Sequence, residues 1–232
     1  MIGKISVPRG KRVEPLIRYL FGPGRREEHT DPHIIAGWRH PAEIEPPLRP
    51  DGRRDFRRLN GLLNQPHAAL GDRGYARPVW HCALRAAPTD RMLSDDEWAR
   101  IACEVMDQTG LAPYGQEDDA VRWIAVRHGD DHIHLVAMLA RQDSGSKPRL
   151  SNERYKVRTA CRAVERQYGL RSTAPADRHT TRAEREKTAR TGRTEPPRLT
   201  LRRQVATCAA AAAGPEDFLA RLDQAEIGVR PV

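Results

Sequence analysis

The stretch Val121–Leu139 places three histidines within seven residues, between two apolar runs rich in Val, Ile and Leu. Gly129-Asp130 marks a turn between the runs, so the pattern predicts a β-hairpin. Side chains alternate along a strand, so His132 and His134 share one face. A three-residue turn over Gly129–Asp131 would pair His128 with His132 and bring His128 to the same face. Core packing gives no reason for three imidazoles there. Three neutral imidazoles on one side of a hairpin are the donor set of a divalent metal site with positions left open for a substrate. Asp130 and Asp131 stand beside them and could accept a ring N–H from outside the coordination sphere. The competing reading is a solvated histidine cluster at a hairpin end, with the two aspartates as ordinary turn residues.

Around this hairpin, strands and helices interleave. Ile2–Val7 alternates like a strand, and Val79–Ala87 reads as another. Leu16, Ile17, Leu20 and Phe21 have helical spacing and stop at Gly22-Pro23-Gly24. Phe56, Leu59, Leu62 and Leu63 lie on one face of a second helix. Residues 40–54 read as loop. Ser94 with Glu97 makes a capping box for a helix that Gly110 ends. A further helix spans about Asn152 to Tyr168 and stops at Gly169. The expected fold is α+β, an antiparallel sheet covered by helices on one face, with a small C-terminal helical appendage. The expected division is a nuclease-sized domain over 1–171, a basic linker over 172–200 poor in apolar residues, and a helical tail over 201–232.

Forty Lys and Arg against 31 Asp and Glu give a net charge of +9. Most of the cations are arginines, which suit bidentate phosphate contacts. Such an excess favours a polyanionic partner and argues against a hydrolase for small phosphate esters, which needs no such footprint. The four cysteines, Cys82, Cys103, Cys161 and Cys208, lack any C-x-x-C spacing and read as free thiols. No signal-peptide pattern opens the chain, and no apolar run approaches the ~20 residues of a membrane span. The expectation is a cytoplasmic protein without membrane insertion.

A metal that grips phosphate needs a nucleophile beside it, either water or a side chain. Tyr19 lies at the end of a short helix, before a Gly-Pro-Gly turn and the pair Arg25-Arg26. Taken alone it is a half-buried helix aromatic.

The order of these elements resembles the relaxases, or mobilisation nucleases, of conjugative elements, within the histidine-hydrophobe-histidine endonucleases. His132-Ile133-His134 is the pair that names the group. Tyr19-Leu-Phe-Gly-Pro-Gly24 with Glu28-His29, Val126–His134 and Gly169–Pro175 are similar to segments of short relaxases of actinobacterial elements, so the likeness spans roughly residues 1–175.

The resemblance implies a site- and strand-specific single-strand endonuclease acting at an origin of transfer. Tyr19 would attack the scissile phosphate and remain joined to the new 5′ end. Glu28 or His29 would accept a proton or contact DNA. A Mg or Mn ion on His128, His132 and His134 would stabilise charge on phosphorus. Arg18, Arg25, Arg26 and Arg127 would hold single-stranded or hairpin DNA, and accessory and coupling proteins of a conjugation system would be the partners. Two alternatives stay open within the family pattern. Many relaxases separate the first histidine from the H-x-H pair by a longer loop, so His81 on the neighbouring strand is a substitute ligand for His128. Related replication nucleases carry their tyrosine on a helix after the histidine hairpin, where Tyr155 stands. His29 and His33 could be mistaken for a second metal site. A non-cleaving accessory DNA-binding protein with the same fold is the alternative function.

Overall fold

The run Leu135–Ala140 is apolar at every position, and each of its six residues is at most 1% exposed. A strand buried on alternate sides only would show polar residues every second place, so this run belongs to a strand covered on both faces. In the computed structural model, which describes residues 1–24, 29–142, 144–173, 182–193 and 195–229, it lies at the centre of a five-stranded sheet. The strands are β1 (Ile2–Ile5), β2 (His33–Gly37), β3 (Val79–Arg85), β4 (Val121–Gly129) and β5 (His132–Arg141). Their order is β1-β3-β5-β4-β2, and every neighbouring pair is antiparallel. The β4–β5 hairpin is therefore internal, and the two short strands β1 and β2 form the edges, where long exposed edges would invite pairing with other chains.

Helices cover both faces, not the single face expected from the sequence. The reason is the central strands themselves, which present apolar side chains to both sides. Helix α4 (Asp95–Thr109) and helix α5 (Glu153–Gln167) pack Trp98, Ile101, Val105, Met106, Val157, Cys161 and Val164 against Trp80, Leu84, Leu135 and Ala137. On the other face α1 (Glu14–Leu20), the short α2 (Pro41–Ile44) and α3 (Arg57–Leu70) set Ile17, Leu20, Ile44, Leu59 and Leu63 against Val79, Ile124, Val126, Val136 and Met138. Local signals fix the helix ends. Ser94 Oγ accepts from Glu97 N and Ser94 N donates to Glu97, a complete capping box, and Gly110 closes α4 in the left-handed region at φ 74°.

Two compact units divide the chain, Met1–Thr173 and Ala174–Val232. The second holds α6 (Arg182–Arg190), α7 (Pro197–Ala211) and α8 (Pro215–Gln224). Helix α6 and the start of α7 lie within the stretch read as a linker, and α8 opens with Pro215 at its first position after Gly214. All four cysteines are free. Among the described residues no helix is long and apolar enough to cross a membrane.

Two-sided burial has a direct test. Leu135→Ala empties a site on the α4–α5 face and Met138→Ala one on the α1–α3 face. Each should cost about 2–5 kcal/mol in urea unfolding. A near-neutral result at either position would mean that its face is open to water.

Candidate active site

The turn between β4 and β5 is tighter than the sequence suggests. Gly129 pairs with His132 across the two residues Asp130-Asp131, replacing the expected His128–His132 pair. Further down the hairpin Arg127 pairs with Ile133 and Val126 with His134, a register that would set His128 opposite His132 if it continued. The shift between Arg127 and Gly129 makes His128 the extra residue of a β-bulge. His128 keeps the face of Val126 and His134. All three histidines thus reach the α1–α3 side, through a different local geometry from the one expected.

The imidazoles converge there. Ring centroids are 4.7 Å apart for His128 and His132, 4.6 Å for His128 and His134, and 5.4 Å for His132 and His134. One donor nitrogen from each lies within 4.8 Å of the others, and among the described residues this is the one such group of three or more His, Cys, Asp or Glu. His128 is buried. Gly129 makes room for the set, since a Cβ there would stand 2.7 Å from Cε1 of His132.

Hydrogen bonds outside the triad set the ring protons. His132 Nδ1 lies 2.7 Å from Asp131 Oδ1. A carboxylate accepts, so Nδ1 carries the proton and Nε2 presents its lone pair. Arg85 Nε donates to the same carboxylate at 2.7 Å. Burial pushes the Asp131 carboxyl up, but Arg85 and His132 outweigh it and hold it below the usual range. On the other side His134 Nδ1 is 2.8 Å from His81 Nε2, and His81 Nδ1 is 2.9 Å from Ser6 Oγ. Donation from His134 to His81 and on to Ser6 frees His134 Nε2 for a cation. His81 is therefore placed to orient His134, not to replace His128. Burial, with the surrounding imidazoles, pushes His134 down to about 2, and burial pushes His81 down to about 4. Imidazole nitrogens are suitable donors for a divalent metal, and the three residues could hold one.

Tyr19 reaches the same face from the end of α1. Its ring meets His29 edge-on at 5.1 Å, and His29 in turn stands edge-on to His128 at 3.7 Å. His29 Nδ1 donates to Gly22 O at 2.8 Å, and Thr30 N donates to His128 O at 2.9 Å. The carbonyl can only accept, so in the neutral ring Nε2 of His29 is the basic nitrogen. Tyr19 is 44% exposed, open to an incoming strand. Tyr155 lies on α5, the helix that covers the opposite face of the sheet.

The remaining sequence candidates divide. Arg18 is exposed beside Tyr19. Arg127 faces away from the triad. Its guanidinium donates to Asp95 Oδ1 at 2.6 Å and to the carbonyls of Gly129 and Asp130. Strand alternation beside the bulge turns it there. Asp130 is an exposed turn residue whose carbonyl serves Arg127, while Asp131 alone touches a triad ring. His33 points to Asp95, Nε2 to Oδ2 3.2 Å, so His29 and His33 serve different neighbours. Arg25, Arg26 and Glu28 lie outside the described residues. Sequence reasoning missed Ser6, Arg85 and Gly129, because each acts through a partner on another strand or across the turn.

Two measurements check this geometry. Gly129→Ala should displace His132 and weaken Mn²⁺ binding by about 10–100-fold in calorimetry, a loss typical of damaged metal support; unchanged affinity would mean that Gly129 does not shape the site. Because His81 and His134 stay neutral in the fold below 6.5, the unfolded chain binds more protons than the folded one under acid conditions. The melting temperature of the metal-free protein should therefore fall as pH drops from 6.5 towards 4, and His81→Gln should flatten that fall.

One comparison with known proteins covers the histidine hairpin. Residues 58–170 match the family model for a relaxase, MobA/VirD2-like, nuclease domain. The match runs from α3 through the histidine hairpin to the end of α5, and begins after Tyr19. No curated protein and no solved structure gives a match. The histidine hairpin and the strand β3 beside it thus lie in a segment that is similar to the nuclease domain of MobA/VirD2-like relaxases.

Proposed function

We propose that the chain is a metal-dependent, site- and strand-specific single-strand DNA endonuclease and transesterase. It would nick an origin of transfer through a covalent 5′-phosphotyrosine for mobilisation of a plasmid or integrative element. The observation that carries this reading is the row Tyr19–His29–His128 on one face of the sheet, with His132 and His134 beside it. Tyr155 lacks that connection, so Tyr19 is the nucleophile in this proposal.

The roles follow from the chemistry of each group. The Tyr19 hydroxyl gives its proton to Nε2 of His29, and the phenolic oxygen attacks phosphorus. The new bond joins tyrosine to the 5′ phosphate, and the bond to the 3′ oxygen breaks. That oxygen leaves as a hydroxyl once protonated, and the reverse attack by a 3′ hydroxyl reseals the strand. His128, His132 and His134 would hold a Mg or Mn ion, with imidazole donors favouring Mn. Such a cation supplies Lewis-acid stabilisation of the charge that builds on the phosphate oxygens. Asp131 and His81 keep two of the rings oriented. Arg18 would contact the strand's phosphates, and the net charge of +9 would draw DNA to the surface. Accessory and coupling proteins would supply whatever further steps a transfer system needs.

The test uses a labelled pool of single-stranded oligonucleotides from the element's transfer region, with Mn²⁺. A protein–DNA adduct that survives denaturant should form, vanish in Tyr19→Phe and persist in Tyr155→Phe. His29→Ala should slow adduct formation by about 10²–10⁴-fold and shift its pH profile. An adduct that persists in Tyr19→Phe overturns the assignment of the nucleophile. Tight binding without any adduct would favour the accessory, non-cleaving reading.

A further inference from the structure

Helix α5 carries Arg154, Arg158, Arg162 and Arg166, and all four are exposed. Spacing by four residues sets them in one row along the helix, about 18 Å from first to last. Among the described residues none of the four has an ion-pair or side-chain hydrogen-bond partner. The helix has two carboxylates, and both are engaged on its inner side. Glu153 accepts from Arg9 at 2.5 Å and from Trp80 Nε1 at 2.7 Å, while Glu165 accepts from Thr173 N at 3.0 Å and from the Met1 amine. The charged groups on the outer face are therefore all cations. Like charges four apart repel one another and weaken a helix, so folding alone gives no reason for this row.

We propose that this arginine face docks the sugar–phosphate backbone of duplex DNA, on the side of the nuclease unit away from Tyr19. The choice of DNA as the occupant rests on the relaxase reading above; the cationic row does not. Charge complementarity selects a polyanion, and the guanidinium fork suits phosphate oxygens. A row of about 18 Å runs alongside roughly five phosphates of one strand, at about 3.4 Å of helix axis per phosphate. A single strand is the poorer occupant, because surfaces that hold one combine cations with several aromatic rings on which unpaired bases stack. Here Tyr155, 70% exposed, is the one aromatic on the outer face. A lipid surface is also the poorer occupant. The apolar stripe of α5, Val157, Ala160, Cys161 and Val164, faces the sheet and leaves nothing to insert. Backbone contact without base readout would let this face hold paired DNA flanking the nick while the opposite face works on the exposed strand.

The experiment uses the whole chain and a fluorescein-labelled blunt duplex of arbitrary sequence, titrated by anisotropy over a range of KCl concentrations. The variant changes all four arginines to glutamine (R154Q, R158Q, R162Q, R166Q), which keeps good helix formers at each place. Duplex affinity should fall at least about tenfold, and the slope of log K against log salt should lose about 3–4 units, near one per phosphate contact. The matching four lysine changes should retain most of the slope. Arg158→Gln with Arg162→Gln alone should lose about half of it, a graded response that misfolding would not give. Tyr19 adduct formation on a short single strand should be unchanged. An unchanged duplex slope in the four-glutamine variant overturns the proposal. So does binding to anionic phospholipid vesicles that the variant loses while duplex binding stays intact. If the wild-type chain forms no adduct yet keeps arginine-dependent duplex binding, the proposed reaction fails and the docking surface stands.

Discussion

The register of β4 against β5 places the histidine cluster of this fold. A strand shows alternate residues to opposite faces, so a register slip of a single place moves a side chain through the sheet. Alternation from Ile124 and Val126 puts His128 on the α1–α3 face, away from the α4–α5 core where Trp98 and Met106 are fully buried, and the bulge lets the tip close at Gly129–His132. Three imidazoles therefore share the α1–α3 face. The register cannot slide, because β5 is buried on both sides and a slip would drive Leu135 and Val136 to exchange faces. The apolar hairpin thus acts as a rigid mount for a polar cluster at its tip.

The cluster is polarised by what surrounds it. Asp131, braced by Arg85, fixes the proton of one ring, and Ser6 through His81 can fix another. Those contacts come from β3, β5, the turn and Ser6 just after β1, so the orientation of the imidazoles is a property of the assembled sheet. Burial keeps His134 and His81 unprotonated, the state in which a ring nitrogen can bind a cation. Chemistry collects on one face of the sheet, beside the end of α1. The other face is covered by α4 and α5, and the outward side of α5 carries unpaired cations.

Much of the frame was legible in local pattern. The ends of α4 follow from Ser94, Glu97 and Gly110, and the strands from short apolar runs, because these signals lie within a few residues of what they determine. The bulge was not legible, since it depends on which residue of β5 faces which residue of β4. The tight Asp130-Asp131 turn escaped for the same reason, although the histidines were correctly placed on one face. Arg127 read as a DNA contact because it sits beside His128; alternation sends it to Asp95 instead. His81 read as a spare ligand, and its place between Ser6 and His134 is visible only when β1, β3 and β5 are adjacent. Coverage of both faces was implicit in Leu135–Ala140, an unbroken apolar run that a one-sided sheet would not need.

The most direct measurement is anomalous diffraction from crystals of the protein loaded with Mn²⁺. The account predicts a single strong peak within bonding distance of Nε2 of both His132 and His134 and of a ring nitrogen of His128, on the side facing Tyr19. A peak ligated by His81 in place of His128, or a triad closed by hydrogen bonds among its own rings with the metal elsewhere, would contradict it.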